Sequence, residues 1–159
     1  MNILIEDIYA KLMNTKEGNK TILIGIDGCG GAGKSTLAQA IRKVDPKKVT
    51  VIHMDDFYKP SLLRESVKDS DIGGNWDINR VKDQILHPLS QNQNTEYQRY
   101  DWNEDALVEW HKVPSGGLVV MEGCYRSATL NWTEKLRSSR IQLILLRRIY
   151  YDKKKTKNI

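Results

Sequence analysis

Residues 28–35 read Gly28-Cys29-Gly30-Gly31-Ala32-Gly33-Lys34-Ser35, a glycine-rich turn closed by a lysine and a hydroxyl. This order suits the holding of a polyphosphate. Glycines let successive backbone N–H groups turn inward around an anion, and a helix beginning where the turn ends adds partial positive charge. The spacing fulfils G-x-x-x-x-G-K-[ST], in which the lysine reaches the β- and γ-phosphates and the hydroxyl ligates Mg²⁺. Gly28, Gly30, Gly31, Ala32 and Gly33 are thus expected to cradle the phosphates of a nucleoside triphosphate. Lys34 adds the charge and Ser35 the metal contact. The bland alternative is a glycine-rich turn with a surface lysine, and the flanking segments argue against it.

Other groups that could do chemistry follow short apolar runs. Asp55 and Asp56 end the run from Val49, and Glu122 ends the run from Leu118. Phosphoryl transfer needs a phosphate cradle, Mg²⁺, positioning and a group that accepts the hydroxyl proton. A carboxylate after one strand can be that acceptor, and one after another can hold the metal through water. Taken singly, Asp55 and Asp56 are equally a turn or a helix cap, and Glu122 a solvated strand end. Phe57, Tyr58, Trp76, Tyr100 and Trp102 offer aromatic surface to a base or sugar, or plain core packing. Arg126 lies just past the Leu118 run, within reach of a phosphate. His53 and His111 show no partner pattern and are expected to be structural.

The elements that must position these groups alternate in type. Ile3–Met13 has helical amphipathicity. Thr21–Ile26 reads as a buried strand leading into the glycine-rich turn, and a helix runs from Ser35 to about Lys43, broken by Asp45-Pro46. Val49–Ile52 is a second strand. Residues 59–75 read as loop with one helical turn, and Ile78–Leu86 as a helix ending before Pro88. A polar turn spans 91–95, followed by an expected helix over Asn103–Trp110. Leu118–Met121 and Ile141–Leu146 are further strands, with a helical stretch over Leu130–Leu136 between them. Strands alternating with helices imply a mostly parallel sheet covered on both faces. Ligands of such sheets sit at the carboxyl ends of the strands.

Composition bounds the rest. A chain of 159 residues, 40% apolar and 28% charged, suits one globular domain. No apolar run has the length of a membrane span and the start shows no signal-peptide pattern, so no membrane partner is expected. Cys29 and Cys124 lack metal spacing, which points to a reducing cytoplasm without a disulfide. The net charge of +5 is matched by the last residues alone, Arg147, Arg148, Lys153, Lys154, Lys155 and Lys157 against Asp152. A neutral body with a basic tail is no nucleic-acid footprint. The oligomeric state is left open, a homo-oligomer included.

Several segments together resemble the uridine kinase and phosphoribulokinase superfamily of P-loop kinases. His53-Met54-Asp55-Asp56-Phe57-Tyr58 is similar to that family's D-x-F-Y motif, and Tyr97-Gln98-Arg99-Tyr100-Asp101-Trp102 to its Y-D-[FW] segment. Val119-Val120-Met121-Glu122-Gly123 is similar to its V-V-x-E-G strand, and Asn75-Trp76-Asp77 to its N-F-D segment. The resemblance runs from about residue 21 to 123, more weakly to 146. It implies a three-layer α/β P-loop NTPase fold over residues 1–146. It also implies ATP and Mg²⁺ as cofactors and γ-phosphoryl transfer to a hydroxyl of a small metabolite, first a nucleoside such as uridine or cytidine. By position it makes Asp55 the catalytic base and a group at the metal. Lys34, Ser35 and Thr36 become the phosphate and Mg²⁺ contacts and Glu122 the metal carboxylate, while Tyr58, Asp77 and Tyr100 line the acceptor pocket. The family's arginine-bearing lid helix and closing elements have no match after Ile141–Leu146, so the fold is expected to be incomplete at that end. Residues 147–159 read as a basic, disordered tail. The rival reading is an inert nucleotide-binding remnant of such a kinase.

Overall fold

The computed structural model describes residues 4–28, 30–67 and 73–123, together with the strand over 141–147. Cys29, Cys124, Arg126, the expected helix over 130–136 and the tail from Arg148 lie outside the described residues.

Four strands form one parallel sheet: β1 (Thr21–Asp27), β2 (Val49–His53), β5 (Leu118–Gly123) and β6 (Ile141–Arg147), in the order β2-β5-β1-β6. Because every strand runs the same way, their carboxyl ends share one edge. In register, Ile26 of β1 and His53 of β2 both lie beside Glu122 of β5, and Asp27 lies beside Gly123. The groups singled out at strand ends are therefore neighbours.

β1 and β5 are buried almost throughout, as expected of parallel strands covered on both faces. Alternate residues point to opposite sides. Ile22, Ile24 and Ile26 pack with Ala38 and Ile41 of α2 (Lys34–Val44) and with Leu12 of α1 (Ile5–Asn14). Leu23, Val119 and Met121 face the other way, towards Phe57, Val81, Ile85, Leu89, Tyr97 and Val113. The three layers expected from the alternating pattern are present.

Two expectations are corrected. Residues 103–110 are not helical: Ala106–Val113 is strand β4, paired antiparallel with β3 (Thr95–Asp101) in a separate hairpin. The turn between them is fixed by Asp101 Oδ1, which accepts the N–H groups of Asn103 (2.9 Å) and Glu104 (3.2 Å), and by Asp105 in the left-handed region at φ 47°. Ala106, Leu107 and Trp110 have helical spacing, but the pairing with β3 decides the outcome. The second correction concerns Pro88, where the helix does not stop. α4 (Ile78–Val81) widens into a π turn (Lys82–Leu86) and continues as α5 (His87–Ser90). Proline supplies no N–H and its ring crowds the preceding turn. The wider turn, with the His87 N–H bonded to the Lys82 carbonyl, makes room for it.

α3 (Ser61–Arg64) is the one helical turn expected in the polar segment after β2. Among the described residues no helix is long and apolar enough to cross a membrane.

Candidate active site

The glycine-rich turn leaves β1 at Asp27, whose Oδ1 accepts the Gly28 N–H at 2.8 Å. Gly31 and Gly33 have φ of 73° and 76°, a conformation that a side chain would strain. Gly33 is also the N-cap of α2 and provides no side-chain acceptor, and no acidic residue sits in the first turn. The N-cap therefore offers the opening N–H groups of α2 no side-chain acceptor of its own, and such a helix start suits an anion. Lys34 folds back across the turn, its Nζ donating to the Gly28 carbonyl at 2.8 Å. Gly28, Gly30, Gly31, Ala32, Gly33, Lys34, Ser35 and Thr36 thus lie on one turn and the start of one helix.

Across the sheet edge, the Ser35 hydroxyl donates to Glu122 Oε1 at 2.9 Å, joining residues far apart in sequence. His53 Nδ1 lies 2.6 Å from the same oxygen. That contact pulls the Glu122 carboxyl below its ordinary range, and in return the carboxylate raises the His53 pKa. Nothing in a single sequence flagged His53, because its link to Glu122 arises from the pairing of β2 with β5. A hydroxyl and a carboxylate side by side, next to a phosphate cradle, are the oxygen donors a hard cation such as Mg²⁺ takes from protein. Among the described residues no three His, Cys, Asp or Glu side chains gather as a cage. Mg²⁺ held largely by phosphates needs none.

Gly123 explains how the next turn comes so close. A Cβ there would lie 2.7 Å from the Met54 Cβ, so the 3-10 turn Met54–Phe57 packs directly on the end of β5. The two aspartates of that turn differ sharply. Asp56 accepts the Tyr97 hydroxyl at 2.8 Å and is committed to the hairpin. Asp55 keeps solvent exposure as a residue while its carboxyl is in part desolvated. Desolvation, then the carboxylates of Glu122 and Asp56, raise the Asp55 pKa above the ordinary aspartate value, with His53 and Lys34 opposing. A carboxylate destabilised in this way gains more by taking a proton, which suits a general base.

Beyond Asp55 lies an aromatic wall. Tyr58 bridges to Trp76 and their ring centroids are 5.2 Å apart; Trp102 lies 4.5 Å from Tyr58 and 5.2 Å from Tyr100. The hairpin thus brings Tyr100 to Tyr58, their ring centroids 6.3 Å apart. Asp77 has a local occupation: it caps α4 by accepting the Arg80 N–H at 3.0 Å, and its Oδ2 lies 3.7 Å from Arg80 Nε. Arg80 had no signal in the sequence. Its guanidinium donates to the carbonyls of Gln98 (2.5 Å) and Asp56 (3.0 Å) and covers the Phe57 ring at 5.0 Å. It ties the Asp55-bearing turn to the hairpin.

No protein-family model matches the chain. It is 32% identical over 130 residues to a uridine kinase of Schizosaccharomyces pombe, covering 75% of this chain and 27% of that protein. It is 35% identical over 74 residues to a nicotinamide riboside kinase of Eremothecium gossypii, covering 46% of this chain and 30% of that one. The chain therefore spans less than a third of either relative's length. Among solved structures, that of a possible uridine kinase from Bacillus stearothermophilus superposes with a TM-score of 0.62 at 21% identity, covering 76% of this chain and 69% of that chain. The parallel sheet order and the phosphate loop on β1 give the chain the α/β P-loop kinase fold, and over three quarters of its length its sequence is similar to a uridine kinase.

Proposed function

We propose that the chain transfers the γ-phosphoryl group of ATP to a hydroxyl of a small nucleoside-like metabolite. The observation that carries the reading is the Ser35–Glu122 contact, which closes the phosphate turn onto the one sheet edge where Asp55 also stands. In this reading the N–H groups of residues 28–36 and the Lys34 ammonium hold the phosphates. Ser35 and Glu122, with Asp55 nearby, would hold Mg²⁺, which when bound neutralises phosphate charge.

Asp55 accepts the proton of the acceptor hydroxyl as its oxygen bonds to the γ-phosphorus and the bond to the β,γ-bridging oxygen breaks, leaving ADP. Tyr58 and Tyr100 supply aromatic surface for the acceptor's ring, and Asp77, next to Trp76 in the chain, is kept from the resemblance as a hydroxyl acceptor. The names of the relatives support a nucleoside acceptor, since uridine and nicotinamide riboside each join a flat ring to a ribose. Arg126 is retained as a candidate phosphate contact from its sequence position alone. The test is ADP release with Mg²⁺-ATP across a panel of uridine, cytidine, nicotinamide riboside and sugar phosphates. ADP release with one of the nucleosides is expected, and activity confined to sugar phosphates overturns the nucleoside reading.

A further inference from the structure

Three rings of the acceptor-facing wall carry a cation of the chain's own. The Arg64 guanidinium carbon lies 5.6 Å from the Tyr58 centroid, 5.9 Å from Tyr100 and 5.5 Å from Trp102. One planar cation thus lies against a cluster of three rings whose pairs are themselves 4.5–6.3 Å apart and inclined at 29° to 80°. Two polar contacts also hold Arg64 there. One NH2 group donates to the Tyr100 hydroxyl at 3.2 Å, and the nearest approach to the Asp105 carboxylate is 3.7 Å. Its Nε is buried with no hydrogen-bond partner among the described residues. Burying a donor unpaired is unfavourable, so attraction to the rings, together with the Asp105 ion pair and the Tyr100 hydrogen bond, is what keeps the guanidinium in place.

The turn that carries Arg64 is clipped down at its other end. Ser61 donates to the Asp105 carboxylate through its backbone N–H at 2.9 Å and through its hydroxyl. Asp105 also accepts the Tyr100 hydroxyl at 2.6 Å. One carboxylate at the hairpin turn therefore fastens both α3 and a ring of the wall.

We propose that Arg64 is a resident occupant of this aromatic face, a self-ligand that an incoming acceptor ring must displace, with the Asp105 clip returning it when the site empties. The face of three rings presents negative charge density, so the ligand class it takes best once Arg64 is removed is a planar organic cation. The occupancy stands on geometry alone; the identity of the natural competitor rests on the kinase reading.

The experiment compares wild type with Arg64→Ala. Saturation-transfer NMR with methylguanidinium as probe is expected to detect binding to Arg64→Ala and little to wild type, and adding Trp102→Ala to the variant removes it. In turnover assays, Arg64→Ala is expected to lower the acceptor KM about fivefold, the scale of cation–π attraction at such a site. The ATP KM and kcat hold, and excess methylguanidinium restores the higher acceptor KM. Equal probe binding by wild type and variant, or no binding by either, overturns the proposal. So does a raised acceptor KM, which would make Arg64 an acceptor contact. Should no acceptor be phosphorylated while the probe still separates the two proteins, the kinase reading falls and the occupancy stands. Arg64→Gln, which keeps the stem but loses the charge, guards against local collapse and is expected to move both readouts the same way.

Discussion

Around the phosphate turn, backbone sets the positions; around the acceptor wall, side chains do. Ile26, Glu122 and His53 stand beside one another because three parallel strands run in register, and Gly123 lets the Met54–Phe57 turn rest on the sheet. Tyr58, Trp76, Tyr100 and Trp102 belong instead to a loop and a hairpin that packs on the sheet through Tyr97 and Val113, loop and hairpin being held to each other by Arg80, by the Asp56–Tyr97 hydrogen bond and by the Asp105 clip. Each of those ties is at most three hydrogen bonds made by side chains. A ladder of backbone bonds opens only with the domain, whereas a clasp of side chains can open alone. On the proposed function, this construction would let the phosphate half stay rigid while the acceptor half adapts to its ring.

The largest effect is expected where the halves meet. Asp55→Asn keeps size and polarity but accepts no proton, so kcat should fall by about 10²- to 10⁴-fold, the usual contribution of a general base. ATP affinity, measured by calorimetry, should hold. Asp56→Asn weakens the Tyr97 bond and should lower the melting temperature more than kcat. A reversal of the two phenotypes would move the base to Asp56. Because the Asp55 pKa is raised and the base works ionised, the acid limb of kcat/KM should fall above the ordinary aspartate value of 3.8. A limb at or below it breaks the assignment.

Next in size is a change confined to the phosphate half. Lys34→Ala removes a charge-assisted phosphate contact, and ATP affinity should fall about 10- to 100-fold. The acceptor KM should stay close to that of wild type if the halves are as independent as their construction suggests. Equal ATP binding by wild type and variant would sink the phosphate-turn assignment.

Arg80→Met tests the acceptor half. The side chain is buried, at 9% exposure, and its loss strands the carbonyls of Asp56 and Gln98. A cost of about 1–3 kcal/mol in unfolding free energy is expected by denaturant titration, with the acceptor KM rising more than the ATP KM. A variant as stable as wild type would show that the clasp is ornamental.

The two halves also differed in what the sequence disclosed, for the same reason. β1, β2, β5 and β6 are short apolar runs bounded by Gly, Pro or polar turns, and such local signals survive into the fold. The phosphate turn carries its geometry in its own glycines. Residues 106–113 become a strand only because 95–101 return alongside them, and no window of sequence holds that information. Arg80 looks like any polar residue on a helix until the hairpin folds over it. His53 meets Glu122 through the strand order β2-β5, a property of topology.

The His53–Glu122 pair gives the smallest expected effect, one of pH. The His53 pKa is raised above 6.5, so its share of the pair's stability is full below that value and is lost as pH rises through the folded-state pKa. The Glu122 pKa is lowered below 4.5, so its share is full above that value and is lost as pH falls through the folded-state pKa. The window in which both are charged and paired therefore lies between 4.5 and 6.5. With the His53 side chain 38% exposed, solvent screens part of the attraction and the effect stays modest. Denaturant titrations of wild type and His53→Gln should differ most inside the window and converge on the alkaline side. Because the link lies in the parallel sheet, the acceptor KM should be insensitive to His53→Gln at every pH. A stability gap that widens as pH rises would mean that His53 is held neutral. An acceptor KM that follows His53 would mean that the sheet edge and the aromatic wall move as one body.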